Sequence, residues 1–216
     1  MISIGQILLD LSTTVLAILT GILAYGKLPV FYRILFFQAL AYLIIDVCAI
    51  TYSNNGVLYN AGMVVESGLL FFAAHTFFHT RTSKYVLLLL YSGFLSVLLF
   101  DFCFSGIKAF AVHAYITSGV FITGIYLCIL FLHFHHHVRG YITLPLLLSC
   151  IGILIFFAGM VPYLSMMPYL QELDAGLSQK LFKYTVLLMG ILRYLLVAIA
   201  FMLLGKQFSV LKRNCP

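Results

Sequence analysis

Tryptophan is missing from this 216-residue sequence, charged residues make up only 8%, and just six residues are acidic. The shortage of charge excludes a soluble fold. A domain of this size cannot hide a chain that is 63% hydrophobic, so lipid must act as solvent. No polar stretch is long enough for a separate soluble domain, and one domain over residues 1–216 is expected. Without Trp, the interfacial belt falls to tyrosine; Tyr25, Tyr32, Tyr52, Tyr85, Tyr141 and Tyr169 lie near expected helix ends. The five cysteines lack a CxxC pair or other metal spacing. Cys48 and Cys103 share an expected depth where a disulfide can be considered, but two separate small apolar residues are the favoured reading. No basic region precedes the apolar run in MISIGQILLDLSTT, so that run is expected to persist as a helix rather than be cleaved. The basic residues sit in short loops and form no aromatic-lined patch, which excludes nucleic acid as a partner.

What is present is a series of long apolar runs. A crossing needs about 20 apolar residues. Seven runs qualify: 3–25, 30–52, 57–79, 84–105, 110–134, 141–166 and 177–205. The breaks carry loop signals: GKLP at 26–29, SNNG at 53–56, TRTSK at 80–84, SGIK at 105–108, HHHVRG at 135–140 and QELDAG at 171–176. The fold class is therefore all-α, a polytopic bundle of seven transmembrane helices with antiparallel neighbours. Lys27, Arg33, Arg81, Lys84, Arg139, Lys206, Lys212 and Arg213 fall on one side, against Lys108, Lys180 and Lys183 on the other. The positive-inside rule places the richer side in the cytoplasm, with the N-terminus outside and the C-terminus inside a plasma (inner) membrane.

All six acids fall in or beside the outer half. Asp10, Asp46, Glu66 and Asp101 interrupt apolar runs, and Glu172 and Asp174 share an outer loop. An intramembrane carboxylate is expensive unless paired, protonated or wetted, and marks a functional candidate. Glu66 lies about 14 Å inside the third span at 1.5 Å per residue, and Arg193 reaches a similar depth in the seventh. A Glu66–Arg193 pair is the economical arrangement. Two readings stay open: an ion pair that fixes helix register, or a ligand or proton site built around it. Asp10, Asp46, His113 and Lys183 are expected to line the same outward-open polar pocket, while Asp101 reads as interfacial. Helical spacing gives further stripes, among them Gln38, Tyr42 and Asp46 in the second span and Ser149, Gly152, Gly159 and Pro162 in the sixth. Packing alone accounts for most of the small and hydroxyl residues.

Histidine forms a second constellation. His75 and His79 stand one helical turn apart, and HFHHH adds His133, His135, His136 and His137 at the same inner side. Such a pair can hold a metal ion. The alternatives are favourable cations at a helix C-terminus, or a cytoplasmic pH sensor. No HEXXH motif accompanies them. The last span has no deep lysine for a retinal Schiff base, since Lys183 is near its outer end. No GxSx serine with a deep histidine suggests a rhomboid-type protease, and no repeat or matched proline pair suggests a SWEET-like carrier.

The stretch SNNGVLYNAGMVVESGLLFF at 53–72 resembles the third span of short seven-helix bacterial membrane proteins of unassigned function. Asn54, Asn55, Tyr59, Asn60 and Glu66 carry the resemblance, which implies a sensory or accessory role. The leading expectation is a receptor-like or sensory accessory protein that binds a small polar ligand or protons in an outer-half pocket. The competing expectations are a small proton-coupled transporter and a metal-dependent membrane hydrolase using the inner histidines. No cofactor is expected. The partners are the bilayer, a small ligand and a cytoplasmic or membrane signalling protein.

Overall fold

The computed structural model describes residues 4–51, 56–136, 143–173 and 175–213. They form α1 (Ile4–Ala24), α2 (Val30–Thr51), α3 (Gly56–Phe77), α4 (Arg81–Ser105), α5 (Val112–His136), α6 (Thr143–Leu173) and α7 (Ala175–Arg213), with no strand among them. Six of these, α2 to α7, are long and apolar enough to cross a membrane. The apolar stretch described at the first helix, Leu11–Lys27, is shorter. The fold is a multi-pass membrane-spanning helical bundle.

Hydrocarbon demands that backbone polar groups be satisfied within each segment, which only a helix achieves in a single span. Several side-chain hydroxyls meet the same demand within their own helix. Thr20 donates to the carbonyls of Leu16 and Ala17 at 2.9 and 3.0 Å, Ser96 to Ser92 at 3.0 Å, and Thr117 to His113 at 2.8 Å. These hydroxyls return to their own helix and need no partner across the bundle.

The helix ends follow local chemistry. Pro29 precedes α2, and its carbonyl accepts from the amides of Tyr32 and Arg33. Thr80 caps α4, its hydroxyl oxygen accepting from the Ser83 amide at 3.2 Å. Gly106 ends α4 with φ at 79°, a conformation that a β-carbon resists.

Neighbouring helices close a ring in the order α1, α2, α3, α5, α6, α7 and back to α1, with α4 wedged outside α3 and α5. The tightest seams join α7 to α6 and α1. Gly152 makes one of these possible: a β-carbon there would lie 3.0 Å from the Arg193 carbonyl oxygen. A β-carbon on Gly159 would lie 2.8 Å from Cε of Met189. Two glycines seven residues apart on α6 thus let α7 approach closely. The bundle has two ends, named here by a residue at each: the Asn60 end, with the α4–α5 loop, and the Lys27 end, where Lys27 donates to the Gly205 carbonyl at 3.2 Å.

Two expected boundaries differ. The loop at 171–176 is largely helix: α6 runs to Leu173 and α7 begins at Ala175, with Asp174 outside the described residues. Gln171, Glu172, Leu173 and Ala175 all tolerate helix, so only Asp174 and Gly176 spoke for a break. The Tyr163 hydroxyl, donating to the Ser178 carbonyl at 2.8 Å, ties the two helices together across that turn. The third helix ends at Phe77, so His79 falls in the turn ahead of the Thr80 cap. Cys48 and Cys103 are free thiols.

Candidate functional site

The ring encloses one charged centre. Arg193 is 0% exposed, and its Nη1 donates to Oε1 of Glu66, whose side chain is 12% exposed. Glu66 is on α3 and Arg193 on α7, and these two helices are not among the pairs in close backbone contact. Two long side chains therefore meet across the ring interior. Both lie near mid-helix, so neither reaches an aqueous end by tilting, and each supplies the charge that makes the other tolerable.

A second layer of groups surrounds the pair. Gln38 of α2, buried, donates through Nε2 to Glu66 Oε1 at 3.2 Å and to the Tyr194 hydroxyl at 3.1 Å. The Arg193 guanidinium lies over Phe156, Phe157 and Tyr194, with 4.9, 5.3 and 5.4 Å to the ring centroids. Those rings supply cation–π attraction to a guanidinium buried from solvent. Tyr115 of α5 lies within electrostatic range of both Glu66 and Arg193. Five helices of the ring thus contribute: α2, α3, α5, α6 and α7.

The coordination of Arg193 is incomplete. Its Nε and Nη2 are buried and have no hydrogen-bond partner. A buried donor without an acceptor costs about 1–3 kcal/mol, more when charged. By guanidinium geometry Nε–H and Nη2–H point the same way, forming the edge that grips an oxyanion with two parallel hydrogen bonds.

The other expected site residues divide. Asp46 lies within electrostatic range of Tyr194, and the ring of Tyr42, one turn along α2, packs on Tyr194 at 5.1 Å. Gln38, Tyr42 and Asp46 thus run as a stripe from the centre towards the Asn60 end of α2. The side chains of Asp10 and Lys183 lie outside the described residues.

His113 belongs to a different structure. Its Nδ1 stands 2.8 Å from Asp101 Oδ1, and its side chain is 76% exposed. Asp101, four residues from the end of α4, is buried against the neighbouring helix, and its Oδ2 accepts from the Ala114 amide at 2.9 Å. That amide is one of the orphan donors in the first turn of α5, so Asp101 caps α5 from the neighbouring helix. Asn60 completes the clamp. Its Nδ2 donates to the carbonyls of Ile107 and Ala109 at 3.1 and 2.7 Å, and its Oδ1 accepts from the Ala111 amide at 3.0 Å. Asp101 and Asn60 hold the α4–α5 loop and the start of α5, with the exposed ring of His113 against Asp101; none of the three is bonded to Glu66.

The histidine pair considered as a candidate metal site does not share one helix, because His79 lies beyond the helix that carries His75. His75 instead stacks on Phe72 at 6.2 Å, and buried His133 contacts the Thr143 hydroxyl at 3.2 Å. Among the described residues, no group of three or more His, Cys, Asp or Glu side chains is placed to hold a metal ion. His136 and His137 fall outside the described side chains.

Sequence reasoning placed Glu66, Arg193 and the α2 stripe. It missed Tyr194, Phe156, Phe157 and Tyr115. The α2 stripe already held Gln38, but no periodic signal picks out an aromatic ring in a chain with 16% aromatics. Comparison with known proteins adds no name to this centre: no protein-family model, curated protein or solved structure matches the chain.

Proposed function

We propose that this protein is a receptor-like sensory element of a plasma (inner) membrane, with its Asn60 end outside and its Lys27 end in the cytoplasm. Its switch is the Glu66–Arg193 contact. One observation carries the reading: the two charges join α3 to α7, helices that are not among the closely packed pairs of the ring. Packing alone does not require such a link, since replacing a buried pair by apolar residues of similar volume is often neutral or stabilising. A charge-neutralising event at Glu66, by a proton or a small polar ligand, removes the reason for Arg193 to hold that position. It thereby biases two arrangements of α3 and α7. The stripe of Asp46, Tyr42 and Gln38 gives the stimulus a polar route from the Asn60 end. The shift passes along α7 to its basic Lys27-end segment, where a signalling partner docks.

The test is hydrogen exchange of the protein in nanodiscs between pH 8 and pH 5. Referred to the intrinsic amide rate at each pH, acidification is expected to lower protection in the middle of α3 and α7, and Glu66→Gln is expected to show the acid pattern at both pH values. Protection that ignores both pH and Glu66→Gln overturns the switch. Proton or solute flux driven by a pH gradient in proteoliposomes would replace the sensor by a carrier.

A further inference from the structure

The unpartnered edge of Arg193 points to the class of ligand, an inference that rests on the reading of Glu66–Arg193 as a switch. We propose that the site binds a small soluble carboxylic acid, whose carboxylate takes the Nε and Nη2 donors of Arg193 while its proton passes to Glu66.

Three observations lead there. First, the edge is built and empty of acceptors. Nη1 is committed to Glu66, whereas Nε and Nη2 are buried and unpaired in a residue that is 0% exposed. A planar carboxylate matches that edge with two charge-assisted hydrogen bonds. The rings of Phe156, Phe157 and Tyr194 flank the guanidinium but offer only π faces, not lone pairs along the N–H directions.

Second, charge balance dictates how the ligand enters. Arg193 is one cation and Glu66 one anion, and α2 adds Asp46 within range of Tyr194. An added anion alone would leave the interior more negative, at high cost in low dielectric. The neutral acid avoids this. Its O–H bond breaks inside the site, the proton moves to a Glu66 oxygen, and the electron pair stays on the ligand carboxylate. Arg193 exchanges one carboxylate for another, and total charge is unchanged. The groups facing Glu66 are Gln38 of α2, Tyr115 of α5, and Arg193 and Tyr194 of α7, with Asp46 of α2 reaching Tyr194. Phe156 and Phe157 come from α6, and the Tyr91 hydroxyl of α4 stands near Gly68, two residues along α3 from Glu66. Arg193 is the one cation among them.

Third, depth selects a soluble acid over a lipid one. Glu66 is ten residues from the start of α3, about 15 Å at 1.5 Å per residue, well below the level of a headgroup carboxylate. A small acid descends the Asp46, Tyr42, Gln38 stripe, whereas an acyl chain has no polar path to follow.

Binding of carbon-13-labelled acetate to the protein in phosphatidylcholine nanodiscs, followed by NMR, tests the assignment. Wild type is expected to bind acetate, with affinity for total acetate rising about tenfold per pH unit on acidification where one proton is taken up. Arg193→Lys keeps the charge and the pairing with Glu66 but lacks the two-donor edge; it is expected to weaken binding at least tenfold. Decanoate in place of acetate provides the lipid arm. Chloride competing as well as formate, decanoate binding without acetate, or acetate binding unchanged in Arg193→Lys would each overturn the assignment. If acetate never binds while the acid-driven exchange of α3 and α7 persists, the ligand is wrong and the switch stands. If that exchange is also absent, the switch itself falls.

Discussion

Removing one half of the Glu66–Arg193 pair should cost far more than removing both. Glu66→Gln leaves the Arg193 cation 0% exposed with no counter-charge among its hydrogen-bond partners. Breaking a buried pair this way costs about 3–5 kcal/mol. The rings around Arg193 recover part of that, about 1–2 kcal/mol for a desolvated cation–π contact, but they already act in the wild type and do not offset the loss. For a chain of this length, 1 kcal/mol moves the unfolding midpoint by about 2–4 °C, so the single variant should melt roughly 6–20 °C lower. Arg193→Gln should fall by a similar amount, since it strands Glu66. The double variant, Glu66→Gln with Arg193→Gln, removes both charges. It should recover at least half of the loss, giving a coupling energy of about 2 kcal/mol or more. Thermal melts in one detergent, read by circular dichroism and by accessibility of the natural cysteines, complete the cycle. Additive losses in the double variant, or no loss in either single variant, would refute the claim that these two charges hold each other in the bundle.

The remaining predictions concern the Asn60 end and the helix seams. Asn60→Ala removes three hydrogen bonds to the 107–111 loop; about 1–3 kcal/mol is expected to be lost, with faster amide exchange at Ala111 as the readout. Asp101→Asn should destabilise the start of α5 by about 1 kcal/mol through the Ala114 amide, whereas His113→Ala, removing an exposed ring, should change the melt little. Gly152→Ala places a β-carbon 3.0 Å from the Arg193 carbonyl oxygen and should cost about 1–3 kcal/mol, while Gly124→Ala meets nothing within 4 Å and should be neutral or slightly stabilising. Equal melting points for those two glycine variants would contradict the tight α6–α7 seam.

The fold was largely legible because a membrane span is a composition problem before it is a packing problem. Runs such as 84–105 and 110–134 need only be counted, and the observed α4 and α5 differ from them by a few residues at either end. The α6–α7 turn was misjudged for a local reason. QELDAG contains loop-prone Asp and Gly, but water beyond the bilayer lets a helix continue past the hydrocarbon, and the Tyr163–Ser178 bond holds the two extensions together. Hydropathy marks where lipid ends, not where a helix must. His79 fails in the opposite direction: helical spacing from His75 assumed one more turn, while Thr80 was already committed to capping α4.

The site divides along a similar physical line. Glu66 and Arg193 could be matched from sequence because hydrocarbon makes each intolerable alone, and depth is readable from residue count. His113 was expected in the pocket of Glu66 and instead meets Asp101 at the start of α5, since helix N-terminal amides are also strong partners for a carboxylate and carry no mark in the sequence. Ala114 is an alanine, yet its backbone N–H settles where Asp101 points. Side-chain chemistry predicts which groups need partners; only the backbone path decides which partner is in reach. This is why the vacant edge of Arg193 carries more weight than the number of acids. Glu66 has its partner in Arg193, while Nε and Nη2 of that arginine are two strong donors buried in the ring without a protein acceptor. A bundle that needed only stability would fill that edge with a second carboxylate or replace the arginine by an apolar side chain. Keeping it open is the arrangement expected of a site whose missing acceptor comes and goes.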